Sequence, residues 1–308
     1  MTEVQVSVTA LAEGVDRLTL PLPTGPRHVH CYVVDGTLFD TGLGLEPPAW
    51  RELDIERIAI THFHPDHVGG AERAARETGA PVYQGALDYA QCERVWGSRD
   101  WPERIADWFL THGVPEAISH ELIEAGHAFA SFVRFAHDPN LLYEGSEVAG
   151  LSVLELPGHA DGHIGFFRDG VLVGGDHLLA RITPAVGLYL ESRPDPLGDY
   201  LASLERTAAL DLRIVYPGHG EPIEDPAARA REIIEHHRER LDVVEAALAD
   251  GPRSGFDVSR AVFGEELSPQ QRRFAVAEAL SHLERLVREG RAVRSGDARN
   301  VTYTARDR

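Results

Sequence analysis

The segment that decides how this chain is interpreted is Thr61-His62-Phe63-His64-Pro65-Asp66-His67-Val68-Gly69-Gly70. It places three histidines and one aspartate within six residues. Imidazole nitrogens and carboxylate oxygens are the ligands that zinc and the neighbouring transition metals prefer. If residues 57–61 (RIAIT) form a short buried strand, His62 and His64 leave its carboxyl end together and can share one ion. Asp66 and His67 then project toward a second position, so the segment predicts a site for two metal ions.

Two metal ions need more ligands than one turn supplies, and the chain offers them at three later strand ends. Predicted strands run into glycine-containing turns that carry His159 (PGHADGH), Asp176 (GGDH) and His219 (YPGHG). Side chains in such turns are well placed to form an active site on a rigid sheet. Asp176 suits a bridging role, because one carboxylate can hold two neighbouring cations.

In this order and in these strand contexts, the four motifs resemble the metallo-β-lactamase superfamily over roughly residues 15–225. The resemblance implies an α+β fold, built as a four-layer αββα sandwich. It also implies which residues bind which ion: His62, His64 and His159 one ion, Asp66, His67 and His219 the other, and Asp176 both.

Three further residues are predicted to support the ligands. Asp40, in LFDTG, matches the family's aspartate behind the site, where it would orient a ligand histidine. The alternative for Asp40 is an ordinary turn aspartate. His163 and His177 each follow a proposed ligand closely, and either could hydrogen-bond substrate or a ligand. The expected cofactors are two divalent ions, with zinc as the first expectation and iron or manganese as alternatives.

The pattern of predicted elements divides the chain into a large and a small domain. Residues 1–250 are expected to form the catalytic domain, with strands interrupted by a helical insertion over about residues 85–145. Three helices are predicted in this insertion, the third over residues 115–136, and they are expected to cover the site. Residues 251–308 predict two helices and a β-hairpin, a winged-helix-like domain similar to that of the lactamase-beta-2-like subfamily.

The charge is unevenly distributed and bears on the expected partners. Residues 251–308 hold 11 Arg and 8 acidic residues, a net +3, which leaves 19 Arg and 41 acidic residues, a net −22, for residues 1–250. An acidic catalytic domain repels polyanions, so nucleic acid is a poor expected partner, although the C-terminal arginines keep it as an alternative. Packing or dimerisation is the favoured role of that domain, and a homodimer stays open.

Composition favours a cytoplasmic protein without membrane association. The two cysteines, Cys31 and Cys92, do not form a CxxC pair, which argues against a disulfide framework and a thiolate zinc site. The N-terminal residues show no basic stretch followed by an apolar one. No run approaches the roughly 18 apolar residues of a membrane span.

The expected reaction is metal-assisted hydrolysis, because water held by divalent ions ionises near pH 7. Asp66 is the expected catalytic residue, orienting the nucleophile or receiving its proton. PGHG and the bridging aspartate resemble the hydroxyacylglutathione-hydrolase branch, which implies a small acyl substrate such as a thioester, a lactone or a related ester. The alternatives are an endoribonuclease or other phosphodiesterase of the same fold, an iron-dependent redox enzyme, and a binding protein without activity.

Overall fold

The computed structural model describes residues 6–23, 26–45, 48–297 and 299–306. The chain divides into two compact units that interleave along the sequence. The first comprises residues 1–97, 131–184 and 206–230, and the second comprises residues 98–130, 185–205 and 231–308. The predicted domains are sequential instead, and their boundary after residue 250 stays a prediction.

The first unit contains a seven-stranded sheet whose strands lie in sequence order. Its strands are β1 (Ser7–Ala12), β2 (Val15–Pro21), β3 (His28–Val34), β4 (Thr37–Phe39), β5 (Arg57–Ile60), β6 (Val82–Gly85) and β7 (Asn140–Leu142). Strands β1 to β4 pair antiparallel, and β4 to β7 pair parallel. The carboxyl ends of β4 and β5 therefore meet at one edge, which brings Asp40 next to the turn that begins at Thr61.

The first unit also contains a five-stranded sheet with the order β12-β11-β10-β9-β8. Its strands are β8 (Glu147–Val148), β9 (Leu151–Glu155), β10 (Ile164–Arg168), β11 (Val171–Gly175) and β12 (Ile214–Pro217). Strands β11 and β12 are parallel neighbours, so Asp176 and His219 leave adjacent strand ends. His159 lies in the connection between the antiparallel strands β9 and β10.

Helices accompany both units. The first unit holds α1 (Pro65–Val68), α2 (Ala71–Thr78) and α3 (Ala86–Val95), and a 3₁₀ helix at Trp50–Glu52. The second holds α4 (Trp101–Thr111) and α5 (Glu116–Ala130). Helices α6 (Pro196–Ala209) and α7 (Pro226–Ala246) each cross a unit boundary. The second unit ends with α8 (Gly255–Phe263), α9 (Pro269–Arg288) and the hairpin of β13 (Ala292–Asp297) and β14 (Asn300–Ala305).

The core of the first unit lies between its two sheets. Tyr32 and Phe39 from the large sheet share one buried cluster with Val153 and Phe166 from the small sheet. The rings of Phe39 and Phe166 lie 4.8 Å apart, and both residues are fully buried. The predicted α+β fold is confirmed.

The predicted third helix of the insertion is too long. Helix α5 ends at Ala130, residues 131–132 form a turn, and residues 133–136 belong to neither a helix nor a strand. The backbone of Arg134 is bound to the first unit at Gly69, which a continuing helix would prevent. Residues 140–142, also inside the predicted insertion, form β7 at the edge of the large sheet.

The insertion helices belong to different units, with α3 in the first and α4 and α5 in the second. Their expected role as a cover over the site stays a prediction. A membrane span requires a long and strongly apolar helix, and none of the helices in the described ranges meets that requirement.

We expect Phe166→Ala to lower the free energy of unfolding by about 3–5 kcal/mol, because it removes a ring from the core between the sheets. Denaturant unfolding of both proteins measures the difference, with Phe166→Leu as a control that keeps most of the volume. A loss below about 1 kcal/mol in the alanine variant would contradict this account of the core.

Candidate metal centre

Asp40 connects the end of β4 to the turn that follows β5. Its Oδ1 accepts a hydrogen bond from Thr61 N at 2.8 Å, and its Oδ2 accepts one from Thr61 Oγ1 at 2.8 Å. The backbone of Asp40 has φ 62°, a left-handed conformation that aspartate adopts more readily than most residues. The carboxylate is thereby held at the entrance of the ligand turn.

The same carboxylate also contacts the ring of His67. Its Oδ2 lies 2.8 Å from His67 Nδ1, and both side chains are buried. A hydrogen bond from Nδ1–H to a carboxylate selects the tautomer whose Nε2 carries the free lone pair. His67 therefore presents Nε2 as the nitrogen that can bind a metal.

The first group of converging side chains comprises His62, His64 and His159. One nitrogen from each ring lies within 4.8 Å of the others. His64 Nδ1 and His159 Nε2 are 2.9 Å apart, although the two residues are 95 positions apart in the sequence. The turn after β5 and the loop after β9 thus meet because the two sheets pack face to face.

The second group comprises Asp66, His67 and His219. Asp66 Oδ2 lies 3.3 Å from His219 Nε2 and 3.9 Å from His67 Nε2. His219 Nδ1 donates to the carbonyl oxygen of His28 at 2.7 Å, so its Nε2 is turned toward the carboxylate.

Asp176 lies between the two groups. Its Oδ1 is 3.5 Å from His67 Nε2, and its Oδ2 is 3.4 Å from His219 Nε2 and 3.6 Å from His159 Nε2. A further group of His62, His67 and Asp176 also has ligand atoms within 4.8 Å of one another. This is the position that a bridging carboxylate requires.

The two supporting histidines have different surroundings. His163 Nε2 accepts a hydrogen bond from Asp176 N at 3.2 Å, and its ring stacks on that of His62 at 4.7 Å. His177 Nε2 lies 2.7 Å from Thr207 Oγ1 in α6. Across the described ranges, neither histidine belongs to a group that could hold a metal ion. His163 therefore supports the site from behind, whereas His177 is directed toward α6.

Strand β3 supports the loop of His219, which the sequence reasoning missed. His28 O binds His219, His30 N donates to Gly218 O at 2.7 Å, and Tyr32 Oη donates to Pro217 O at 2.7 Å. Alternate residues of one strand thus bind consecutive residues of the loop. Only Tyr32 uses its side chain, whereas His28 and His30 bind through their backbone, so the side-chain pattern of HVHCY does not reveal this support.

The carboxylates of the site are ionised. Burial alone would raise the pKa of Asp176, but the imidazoles of His219 and His67 lower it well below its usual range. Burial likewise opposes ionisation of Asp66, yet His67 and His219 lower its pKa to about 2. Conversely, burial lowers the pKa of His219, but the carboxylates of Asp176 and Asp66 together raise it to about 10. A bound cation would replace the protons on the His67 and His219 rings as the positive charge beside the carboxylates.

Two of the proposed ligand histidines, His62 and His64, are neutral. Burial, together with the neighbouring His67 imidazole, lowers the pKa of His62 well below its usual value. Burial and His159 lower the pKa of His64 to about 3. Neutral imidazole is the form that binds a metal ion, so these rings are prepared as ligands.

The residues fit divalent metal ions. Within the described part of the chain, His62 Nε2, His67 Nε2 and Asp176 Oδ1 are buried without a hydrogen-bond partner. Such atoms cost free energy unless another group satisfies them, and these three belong to one converging group. A donor set of imidazole nitrogens and carboxylate oxygens suits zinc, iron and manganese.

We expect Gly218→Ala to weaken metal binding by at least about tenfold. A Cβ at residue 218 would lie 2.5 Å from Asp176 Oδ1 and 2.5 Å from His67 Cε1, so both side chains would have to move. Metal content after dialysis against a fixed free zinc concentration measures the effect. Glu224→Ala is the control, because Glu224 is exposed and lies beyond the ligand loop. Equal metal content in wild type and Gly218→Ala would contradict the described packing.

Comparison with known proteins agrees with this geometry. The solved structure of a metallo-beta-lactamase family protein from Thermus thermophilus is 36% identical, covers 96% of this chain and 100% of that one, and superposes with a TM-score of 0.82. A Bacillus subtilis protein named probable metallo-hydrolase YqjP is 32% identical over 281 residues, 82% of this chain and 85% of that protein. The hydroxyacylglutathione hydrolase of Methylobacillus flagellatus is 28% identical over 228 residues, 72% of this chain and 70% of that protein.

Family models match both parts of the sequence. The model described as metallo-beta-lactamase-like, C-terminal domain, matches residues 241–305. The model of the metallo-beta-lactamase superfamily matches residues 24–219, the segment that contains every predicted ligand. This chain belongs to the metallo-beta-lactamase superfamily.

Proposed function

We propose that this protein is a two-metal hydrolase of small acyl substrates, such as thioesters, lactones and related esters. The chain is a metallo-hydrolase of its superfamily, and the proposal concerns the number of ions and the substrate class. The observation that carries it is Asp176, whose two carboxylate oxygens face histidines of different ligand groups. One carboxylate shared in this way suits two neighbouring cations.

The proposed ligands are His62, His64 and His159 for one ion, Asp66, His67 and His219 for the other, and Asp176 for both. Zinc is the proposed metal, with iron or manganese as alternatives, because all three accept nitrogen and oxygen ligands. Bound divalent ions supply a water that ionises near neutral pH and positive charge for a developing oxyanion.

Asp66 is the proposed catalytic residue. It is half-buried, whereas His62 and His67 are fully buried, so among these side chains it is the one accessible to a reacting group. Its low pKa keeps it ionised, which allows it to orient a nucleophile by accepting a hydrogen bond. A carboxylate with a pKa of about 2 is a weak base, so this orienting role is proposed ahead of proton acceptance. His163 and Asp40 keep Asp176 and His67 in place while Asp66 acts.

The substrate class rests on charge and on a relative. Residues 1–250 carry a net charge of −22, from 19 Arg and 41 acidic residues, which disfavours long-range attraction of a polyanion such as RNA. The relative from Methylobacillus flagellatus is named for hydroxyacylglutathione, which is an acyl compound. A small acyl substrate therefore ranks above a phosphodiester in this proposal.

We expect chelation of the metal, or His62→Ala, to lower hydrolysis of the preferred substrate by at least about 100-fold, because either change removes part of the ligand set. His120→Ala is the matched control, since His120 is exposed on α5. Rates at pH 7 measure the effect, with metal content determined for each protein. An unchanged rate in a metal-depleted His62→Ala protein would contradict a metal-dependent reaction.

We expect thioesters, lactones or esters to be hydrolysed faster than phosphodiesters by protein of known metal content. A panel of chromogenic thioesters, lactones, esters, phosphodiesters and a cephalosporin compares the classes through kcat/KM. Activity on phosphodiesters alone, together with salt-dependent binding of single-stranded RNA, would replace the acyl proposal by a nuclease.

A further inference from the structure

We propose that α3 is a positioning element for one of the two metal sites, the one formed by His62, His64 and His159. It acts through Asp88, Gln91 and Trp96, which contact the two loops that carry these histidines. The inference rests on the proposed two-metal function, and it assigns to this helix a role that the motifs of the ligand residues do not reveal.

The first loop is held at Phe63, the residue between His62 and His64. Asp88 Oδ1 accepts a hydrogen bond from Phe63 N at 2.8 Å. Trp96 Nε1 donates a hydrogen bond to Phe63 O at 2.8 Å. The backbone N of Phe63 is thereby bound near the start of α3, and its backbone O is bound by Trp96, directly after the end of α3. The two peptide planes that flank Phe63 therefore cannot rotate freely. The directions of the His62 and His64 side chains follow from those planes.

The second loop, between β9 and β10, is held two and three residues beyond His159. Gln91 Nε2 donates to Asp161 Oδ2 at 3.0 Å, and all three of Gln91, Asp161 and Asp88 are buried. Gly162 packs directly on the start of the helix, because a Cβ there would lie 2.3 Å from Asp88 N. Helix α3 therefore touches both loops that supply ligands of this group.

Asp88 is a buried carboxyl group that the proposed chemistry does not use. It is fully buried, and Gln84 Nε2 donates to its Oδ2 at 2.6 Å. Burial raises the pKa of Asp88 well above its usual range. A buried carboxyl is costly unless hydrogen bonds satisfy it, and two donors meet Asp88 here. The hydrogen bond to the backbone of Phe63 accounts for the buried position of Asp88.

The other metal site is supported by different elements. Asp40, at the end of β4, binds His67, and β3 binds the loop of His219 through His28, His30 and Tyr32. A change in α3 should therefore weaken one metal site more than the other. Selectivity between the sites separates a positioning role from a general loss of stability.

The test uses full-length metal-free protein titrated with Zn²⁺, and separately with Co²⁺ to give a visible spectrum. Trp96→Phe removes the donor and keeps a ring, and Asp88→Ala removes the acceptor. Asp88→Asn keeps an acceptor oxygen for Phe63 N, and its amide nitrogen can donate to Gln84 Oε1 once the Gln84 amide turns, so it serves as the conservative variant. Arg94→Ala, on the exposed side of α3, is the matched control.

We expect wild type, Asp88→Asn and Arg94→Ala to bind two ions with similar affinities. We expect Trp96→Phe and Asp88→Ala to keep one ion and to bind the other about 10–100-fold more weakly. The spectrum of either variant with a single Co²⁺ should match that of His159→Ala and differ from that of His219→Ala. Denaturant unfolding of the metal-free proteins shows whether each variant is folded. If Asp88→Ala is unfolded, the metal affinities of Trp96→Phe, the milder change, test the proposal.

Two ions bound by Trp96→Phe and Asp88→Ala with wild-type affinities would overturn the proposal, and so would an equal weakening of both sites. A wild-type protein that binds one ion would instead remove the two-metal function. In that case, an unchanged affinity for this ion in both variants would also overturn the positioning role of α3.

Discussion

The hydrogen bonds of the Asp40 carboxylate are the interaction on which the rest of the site depends. This buried side chain binds the backbone and hydroxyl of Thr61 and the ring of His67. It therefore links the end of β4 to both ends of the ligand turn. Because the bond to His67 also selects its tautomer, one carboxylate sets both the path of the turn and the nitrogen that faces the metal position.

The two facing sheets complete what this turn begins. The large sheet supplies the turn after β5, whereas the small sheet supplies His159, Asp176 and His219 from its own strand ends. The buried rings of Phe39 and Phe166 set the spacing between the sheets. Metal binding is thus coupled to packing in the core, because ligands from both sheets converge only when the sheets face each other correctly.

The sequence allowed the fold class and all seven proposed ligands to be predicted, because motifs of histidine and aspartate at strand ends are visible without coordinates. The end of α5 was placed too late. Apolar residues such as Val133 and Phe135 fit a helix as well as other buried segments, so they do not mark where the helix ends. The roles of Asp88 and Trp96 were not predicted. Both bind a backbone group of Phe63. Every residue has the same backbone groups, so the identity of Phe63 does not indicate that these hydrogen bonds form.

By itself, the sequence determined which chemistry is available, because ligand type depends on side-chain identity and local spacing. Only the tertiary structure decided the distances between the ligand atoms. His64 and His159 are 95 residues apart, and their ring nitrogens meet at 2.9 Å because two sheets pack face to face. Likewise, His163 and His177 each closely follow a proposed ligand in the sequence, yet His163 contacts Asp176 and His177 contacts Thr207. The direction of a side chain depends on the packing around its strand, which local sequence does not encode.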